Sequence, residues 1–275
     1  MNLNYITWNV SPEIFSIGSW AIRWYGLLFA SSFFFGYLIL VQVFRKEKIA
    51  LKFLDELTTY MIIGTVLGAR IGHCLFYEPS YYLQHPLKIL MVWEGGLASH
   101  GAAIGIIITI IIFSRVRKFS FLWVMDRVVI VVALSGFLIR TGNLMNSEIF
   151  GIPTTLPWGF FFLRSSNPAE TIDPRHPTQL YEGLSYLMIF FFLWRYYYLK
   201  DGKPAPGFIF GVFLTLVFGM RFLIEFIKEP QVGFEQSMVL NMGQLLSIPL
   251  ILAGILLILY SKRKFPGSLF QRGIT

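Results

Sequence analysis

Seven apolar runs, at about 20–43, 57–77, 95–114, 122–140, 180–199, 207–227 and 239–260, constrain this chain more than anything else in it. Each is near the ~20 residues needed to cross ~30 Å of hydrocarbon, so each reads as a membrane-spanning helix. Hydrophobic residues make up 55% of the 275 positions and charged residues 14%, which is too few polar groups to cover a water-facing surface. The expected fold is therefore an all-α integral membrane protein of about seven transmembrane helices, forming a single multi-pass domain over 1–275.

The Lys and Arg residues fall after alternate runs. Arg45, Lys46, Lys48 and Lys52 follow the first run, and Arg115, Arg117 and Lys118 the third. Arg195, Lys200 and Lys203 lie at or after the end of the fifth, and Lys262, Arg263, Lys264 and Arg272 follow the seventh. Under the positive-inside rule the N-terminus is expected outside and the C-terminus in the cytoplasm. The net charge of +8 then reflects topology, and no nucleic-acid partner is expected. The tail 1–19 holds no Lys or Arg, so it does not resemble a cleavable signal peptide. Trp20, Trp24, Tyr77, Tyr81, Trp93, Trp194 and Tyr196 lie near run ends, as interfacial anchors do. The connections left outside are 78–94, 141–179 and 228–238. The long one, 141–179, contains Pro153, Pro157, Pro168, Pro174 and Pro177, which excludes one continuous helix and marks a functional or mobile segment.

Ionisable residues are costly in a bilayer and mark function by default. Here they share one depth. Arg23 and Tyr25 open the first span, Arg70 and His73 close the second, and Glu94 and His100 open the third. Arg140 ends the fourth, followed by Asn143, Asn146 and Glu148. His176, Gln179, Tyr181 and Glu182 start the fifth, Arg221 and Glu225 end the sixth, and Asn241 and Gln244 start the seventh. The expectation is a polar chamber in the outer-leaflet half, closed toward the cytoplasm. A lipid transporter would need polar groups through the inner half as well, where Asp126 and Arg127 stand near the cytoplasmic boundary as an interfacial pair. A polyprenyl-phosphate glycosyltransferase would need clustered acidic metal ligands, and none is convincing. The lone Cys74 excludes an internal disulfide and multi-cysteine metal sites, and it reads with His73 as a packing residue.

Arginine forks bind phosphate oxygens bidentately, which makes Arg140 and Arg221 candidates for a phospholipid phosphodiester. His100 suits proton abstraction near neutral pH and sits in a Gly-rich stretch with Gly95, Gly96 and Gly101. It lacks the paired histidines of a metal site, and the chain shows no serine triad or P-loop, so neither metal nor cofactor is expected and the nucleophile belongs to the substrate.

Arg140, Gly142, Asn143, Asn146, Glu148 and Gly151 together resemble the signature of the phosphatidylglycerol:prolipoprotein diacylglyceryl transferases. Further blocks follow in family order: Tyr25-Gly26, Gly68-Ala69-Arg70, Gly95-Gly96 through His100-Gly101, Arg175 through Glu182, Arg221 with Glu225, and Met242-Gly243-Gln244 through Ser247-Ile248-Pro249. Ile139, Ser147 and Ala102 replace expected glycines and bear on local backbone geometry. The resemblance implies that phosphatidylglycerol and the lipobox cysteine of a prolipoprotein meet at the outer face of the bacterial inner membrane, in the first step of lipoprotein maturation. The thiolate displaces at the glyceryl carbon and glycerol phosphate leaves. It further implies His100 as base, with Glu148 or Glu225 as alternatives, Arg140 and Arg221 on the phosphate, and Asn143, Asn146, Tyr25 and Gln179 as orienting groups, with Arg70 in the lipid-binding set.

Overall fold

The computed structural model describes residues 5–18, 20–230 and 238–265. Arg272, Ser19, part of the tail 1–19 and part of the connection 228–238 lie outside the described residues, as do the side chains of Trp20 and Glu94. Eight α-helices are described: α1 (Trp24–Lys46), α2 (Leu51–Phe76), α3 (Pro79–Gln84), α4 (Ser99–Arg117), α5 (Phe121–Met145), α6 (Thr178–Leu199), α7 (Phe208–Ile224) and α8 (Met242–Lys264). Six of these, α1, α2, α4, α5, α7 and α8, are long and apolar enough to cross a membrane. Their outward faces carry bare Leu, Ile and Phe, such as Leu67 and Leu75 on α2 and Leu252 and Leu256 on α8. Such surface is tolerated where the solvent is lipid. The chain is a mostly helical integral membrane protein.

Helix α6, the remaining expected span, has 22 residues. It carries Thr178, Gln179, Glu182, Ser185 and Arg195 among its apolar residues.

Several boundaries differ from the sequence reading. The first run begins at 20, yet Trp20–Arg23 is a strand, β3, paired antiparallel with β2 (Glu13–Ile17). In the tail, β1 (Ile6–Trp8) pairs parallel with β4 (Phe160–Phe162), so a purely α-helical chain is corrected by two small sheets. The β1–β4 pairing joins residues far apart in sequence, Ile6 with Phe160, which local periodicity does not register, whereas β2 and β3 are neighbours along the chain. The fourth run continues as helix to Met145, and the connection after it is correspondingly shorter than 141–179. The segment 78–94 holds α3 and two 3-10 turns.

The chain forms two compact units, Leu40–Met125 on the one hand and Met1–Ile39 with Asp126–Thr275 on the other. In the smaller unit α2 and α4 meet through glycines. A Cβ on Gly68 would strike the Gly101 carbonyl and lie 2.9 Å from the Gly105 Cα, and one on Gly72 would lie 2.7 Å from the Gly101 Cα. Small residues four apart let two backbones touch. The larger unit repeats the device where Gly211 on α7 meets Gly254 and Ile258 on α8.

Asp126 and Arg127, read as an interfacial pair, brace the start of α7. Asp126 is fully buried and accepts from Gly207 N at 2.7 Å and Phe210 N at 2.8 Å, satisfying first-turn N–H groups that helix geometry leaves open. Arg127 donates to the Gly202 carbonyl and lies over the Tyr197 ring.

Candidate active site

The last turns of α5 carry Arg140, Gly142 and Asn143, and the chain then folds back on itself. Ser147 N donates to the Leu144 carbonyl and Glu148 N to the Asn143 carbonyl, which returns Glu148 toward the helix end. There Asn143 Nδ2 and Asn146 Nδ2 both donate to Glu148 Oε1, at 2.8 and 3.2 Å. Arg140 Nη1 donates to Asn143 Oδ1 at 3.1 Å, so one amide spans an arginine and a carboxylate. Gln179, on the first turn of α6, donates to the Glu148 carbonyl at 2.7 Å. Gly142 is small because Tyr25 crosses it: an added Cβ would lie 2.8 Å from Tyr25 Cδ2 and 3.2 Å from its Cα. The signature spacing thus encodes a helix end, a tight return and the residues that close it.

Ser147 occupies the left-handed region at φ +52°, where glycine is at ease and a Cβ is strained. Its hydroxyl is buried without a hydrogen-bond partner among the described residues. Ser147→Gly removes both penalties and is expected to stabilise the protein by about 1 kcal/mol with turnover retained. Thermal unfolding in detergent, read beside initial rates, checks this.

From Arg140 a chain of alternating charge runs through the larger unit. Arg140 Nε pairs with Glu182 Oε2. Glu182 Oε1 lies 3.3 Å from Lys228 Nζ, which lies 3.2 Å from Glu225 Oε1, which lies 3.4 Å from Arg221 Nη2. Asn241 Nδ2 donates to Glu225 Oε2 at 3.3 Å. The Glu182, Lys228 and Glu225 side chains are at most 7% exposed, against 12% for Arg140 and 29% for Arg221. Arg221 is thus the cation of the chain most open to a ligand. Asn241 also closes a capping box with Gln244 at the start of α8, which fixes the amide that holds Glu225. Gly243 lets that helix start lie directly on the Glu225 carboxylate.

Sequence reasoning brings Arg140, Asn143, Asn146, Glu148, Gln179, Arg221 and Glu225 to one neighbourhood, with Tyr25 beside them. It does not single out Glu182 as a site residue, and it leaves Lys228 on an outer connection. The signal for Lys228 is its i, i+3 spacing from Glu225. Backbone pairing completes the placement, since Lys228 bridges antiparallel to Gly151 and Ile152 N donates to the Ile227 carbonyl. Gly151 fits there because a Cβ would meet the Ile227 carbonyl and lie 2.7 Å from the His176 Cβ.

Arg175 is buried against Phe150 and pairs with Glu229 at 2.8 Å. His176 Nδ1 lies 3.2 Å from the Tyr181 hydroxyl, and burial pushes its imidazole below the ordinary histidine value.

Arg70, His73, Cys74 and His100 belong to the smaller unit. Arg70 is 2% exposed, and its guanidinium donates to the carbonyls of Lys88, Ile89, Gly95 and Gly96 while resting on the Tyr82 ring. Those bonds tie the connection ahead of α4 to α2 and leave little of the fork for a lipid phosphate. Gly96, at φ +65°, passes within 2.6 Å of the His73 ring for an added Cβ. His73 stacks on Tyr77 and Cys74 is buried, so both pack. His100 is exposed in the first turn of α4.

The model of the prolipoprotein diacylglyceryl transferase family matches residues 12–260. The chain belongs to the prolipoprotein diacylglyceryl transferase family. It is similar to proteins named phosphatidylglycerol–prolipoprotein diacylglyceryl transferase across nearly its whole length. The Chloroherpeton thalassium relative is 47% identical over 262 residues, covering 95% of this chain and 96% of the relative. The Tolumonas auensis relative is 48% identical over 260 residues, covering 94% and 98%. The Porphyromonas gingivalis relative is 48% identical over 266 residues, covering 93% and 94%. The resemblance read from the motif blocks is borne out, and in this family member the signature residues from Arg140 to Gly151 build the turn that holds Glu148.

Proposed function

We propose that this chain transfers the diacylglyceryl group of phosphatidylglycerol to the thiol of the lipobox cysteine of a prolipoprotein. The observation that carries the site assignment is the ion chain from Arg140 to Arg221, two guanidinium groups each held by its own buried glutamate and joined through Lys228, in a family whose relatives are named for an anionic lipid substrate. The lipid phosphodiester lies against Arg221 and Arg140, while Asn143, Asn146, Tyr25 and Gln179 orient the headgroup and the Glu148 turn. The cysteine thiol, with a reference pKa of ~8.5, loses its proton to a base. Its sulfur attacks the glyceryl carbon, a C–S bond forms as the C–O bond to phosphate breaks, and glycerol phosphate leaves with the negative charge the arginines stabilise.

His100 is the base by chemistry, with Glu148 as the alternative. Glu225 suits the task less, because Lys228, Arg221 and Asn241 all hold its oxygens. Arg70 contributes by holding the connection that precedes His100. Seven spans, counting α6, put the termini on opposite sides of the bacterial inner membrane. In helices α1, α6 and α8 the site residues Tyr25, Glu182 and Gln244 stand near the ends opposite Arg45, Arg195 and Lys262, which supports a chamber on the extracytoplasmic side.

The base is tested by substitution at saturating substrate. With His100 as base, His100→Asn loses at least about 100-fold in kcat while folded Glu148→Gln loses less than about tenfold, because the acceptor of the thiol proton is the group the chemical step lacks. Near-normal kcat in His100→Asn beside a loss of about 100-fold in Glu148→Gln would hand the role to Glu148.

A further inference from the structure

Lys228 is the one member of the ion chain whose contacts are both to carboxylates, and the oxygens it takes are informative. It holds Oε1 of Glu182 at 3.3 Å and Oε1 of Glu225 at 3.2 Å. Glu182 is therefore left with Oε2 for Arg140, and it meets that arginine at Nε. Glu225 has Oε2 engaged by Asn241, and Arg221 reaches only the oxygen that Lys228 already shares, at 3.4 Å. A carboxylate with both oxygens unengaged closes on a guanidinium as a fork and takes two parallel N–H groups. Neither pair does so here.

We propose that Lys228 is a positioning residue for the lipid phosphate: by sharing one oxygen of each carboxylate, it competes with Arg140 and Arg221 for Glu182 and Glu225 and weakens the glutamates' hold on the two guanidinium groups. Guanidinium N–H groups that the glutamates would otherwise consume stay available to the phosphodiester. The ammonium also offsets one of the two buried negative charges that would lower anion affinity. Its burial follows from the backbone, since the 3-10 turn Glu225–Ile227 and the bridge from Lys228 to Gly151 direct the chain inward at this point. This inference rests on phosphatidylglycerol being the substrate of the site.

The test is steady-state kinetics of the purified full-length protein with phosphatidylglycerol in mixed micelles and a lipobox peptide. Lys228→Met is expected to raise KM for phosphatidylglycerol by about tenfold while kcat changes by less than about threefold, the signature of lost ground-state binding. Lys228→Arg, which keeps a buried cation between the two carboxylates, stays within about threefold of wild type. In a Glu182→Gln background the Lys228→Met effect shrinks to less than half, because an amide no longer captures Arg140. Equal costs in the two backgrounds, or a loss confined to kcat, overturn the proposal. If Lys228→Met yields no monodisperse protein, Lys228→Arg and the double variant decide: a tenfold higher KM in folded Lys228→Arg overturns it. A wild-type protein inactive on phosphatidylglycerol points to failure of the substrate assignment instead.

Discussion

Replacing Arg140 with alanine is expected to lower turnover at least about 100-fold while the protein still inserts into membranes and purifies as a folded species. The guanidinium does two jobs that no neighbour can take over. In the proposed reaction it faces the charge that develops on the leaving phosphate, and in the structure it anchors Asn143, whose amide positions Glu148. Deleting one partner of a buried ion pair usually costs about 3–5 kcal/mol in stability, because the other charge is stranded. Glu182 is not stranded here, since Lys228 remains at 3.3 Å, so the loss falls on chemistry more than on folding. Arg140→Lys is expected to recover little, because an ammonium cannot bond Glu182, Asn143 and phosphate from one planar fork. Initial rates of thioether formation beside size-exclusion profiles check both halves, and near-normal rates in folded Arg140→Ala would remove Arg140 from the site.

Gly101→Val is expected to have the largest effect on the fold. The new Cβ would strike the Gly68 carbonyl and lie 2.8 Å from the Gly72 Cα, both of them backbone that cannot rotate away. Overpacking by side chains costs about 1–3 kcal/mol, and a branched residue against backbone lies at or above the top of that range. The unfolding temperature in detergent should drop by roughly 10 °C or the protein should fail to accumulate. Gly95→Ala is the contrast. Nothing lies within 4 Å of its missing Cβ, and its φ of +88° makes backbone strain the sole penalty, so its effect should be far smaller. Equal melting temperatures for Gly101→Val and wild type would contradict the glycine contact between α2 and α4.

The apolar runs were legible because a bilayer imposes length and hydropathy on each helix separately, and six long helices meet that demand. The spacing of Gly64, Gly68 and Gly72 against Gly101 and Gly105 was equally open to reading, as small residues four apart on two spans. Helix ends were less so. Polar Thr141 and Asn143 read as the beginning of a loop, yet their backbone stays helical to Met145 because Arg140, Asn143 and the return of Glu148 close on one another. Arg70 carries a charge that sequence reading assigns to a ligand, whereas its partners are backbone carbonyls, which every residue possesses and no motif announces. Lys228 was hidden for the opposite reason. A lysine just past an apolar run looks like surface, and its burial arises from pairing with Gly151, 77 positions earlier in the chain.

The most direct measurement is mass spectrometry of a lipobox peptide incubated with the purified protein and phosphatidylglycerol. A diacylglyceryl adduct on the cysteine, with glycerol phosphate released in equal amount, is the expected result, absent when the cysteine is replaced by serine and lost with Arg140→Ala. An unmodified cysteine after incubation with folded, monodisperse protein would contradict the assignment of the Arg140 to Arg221 ion chain to this transfer.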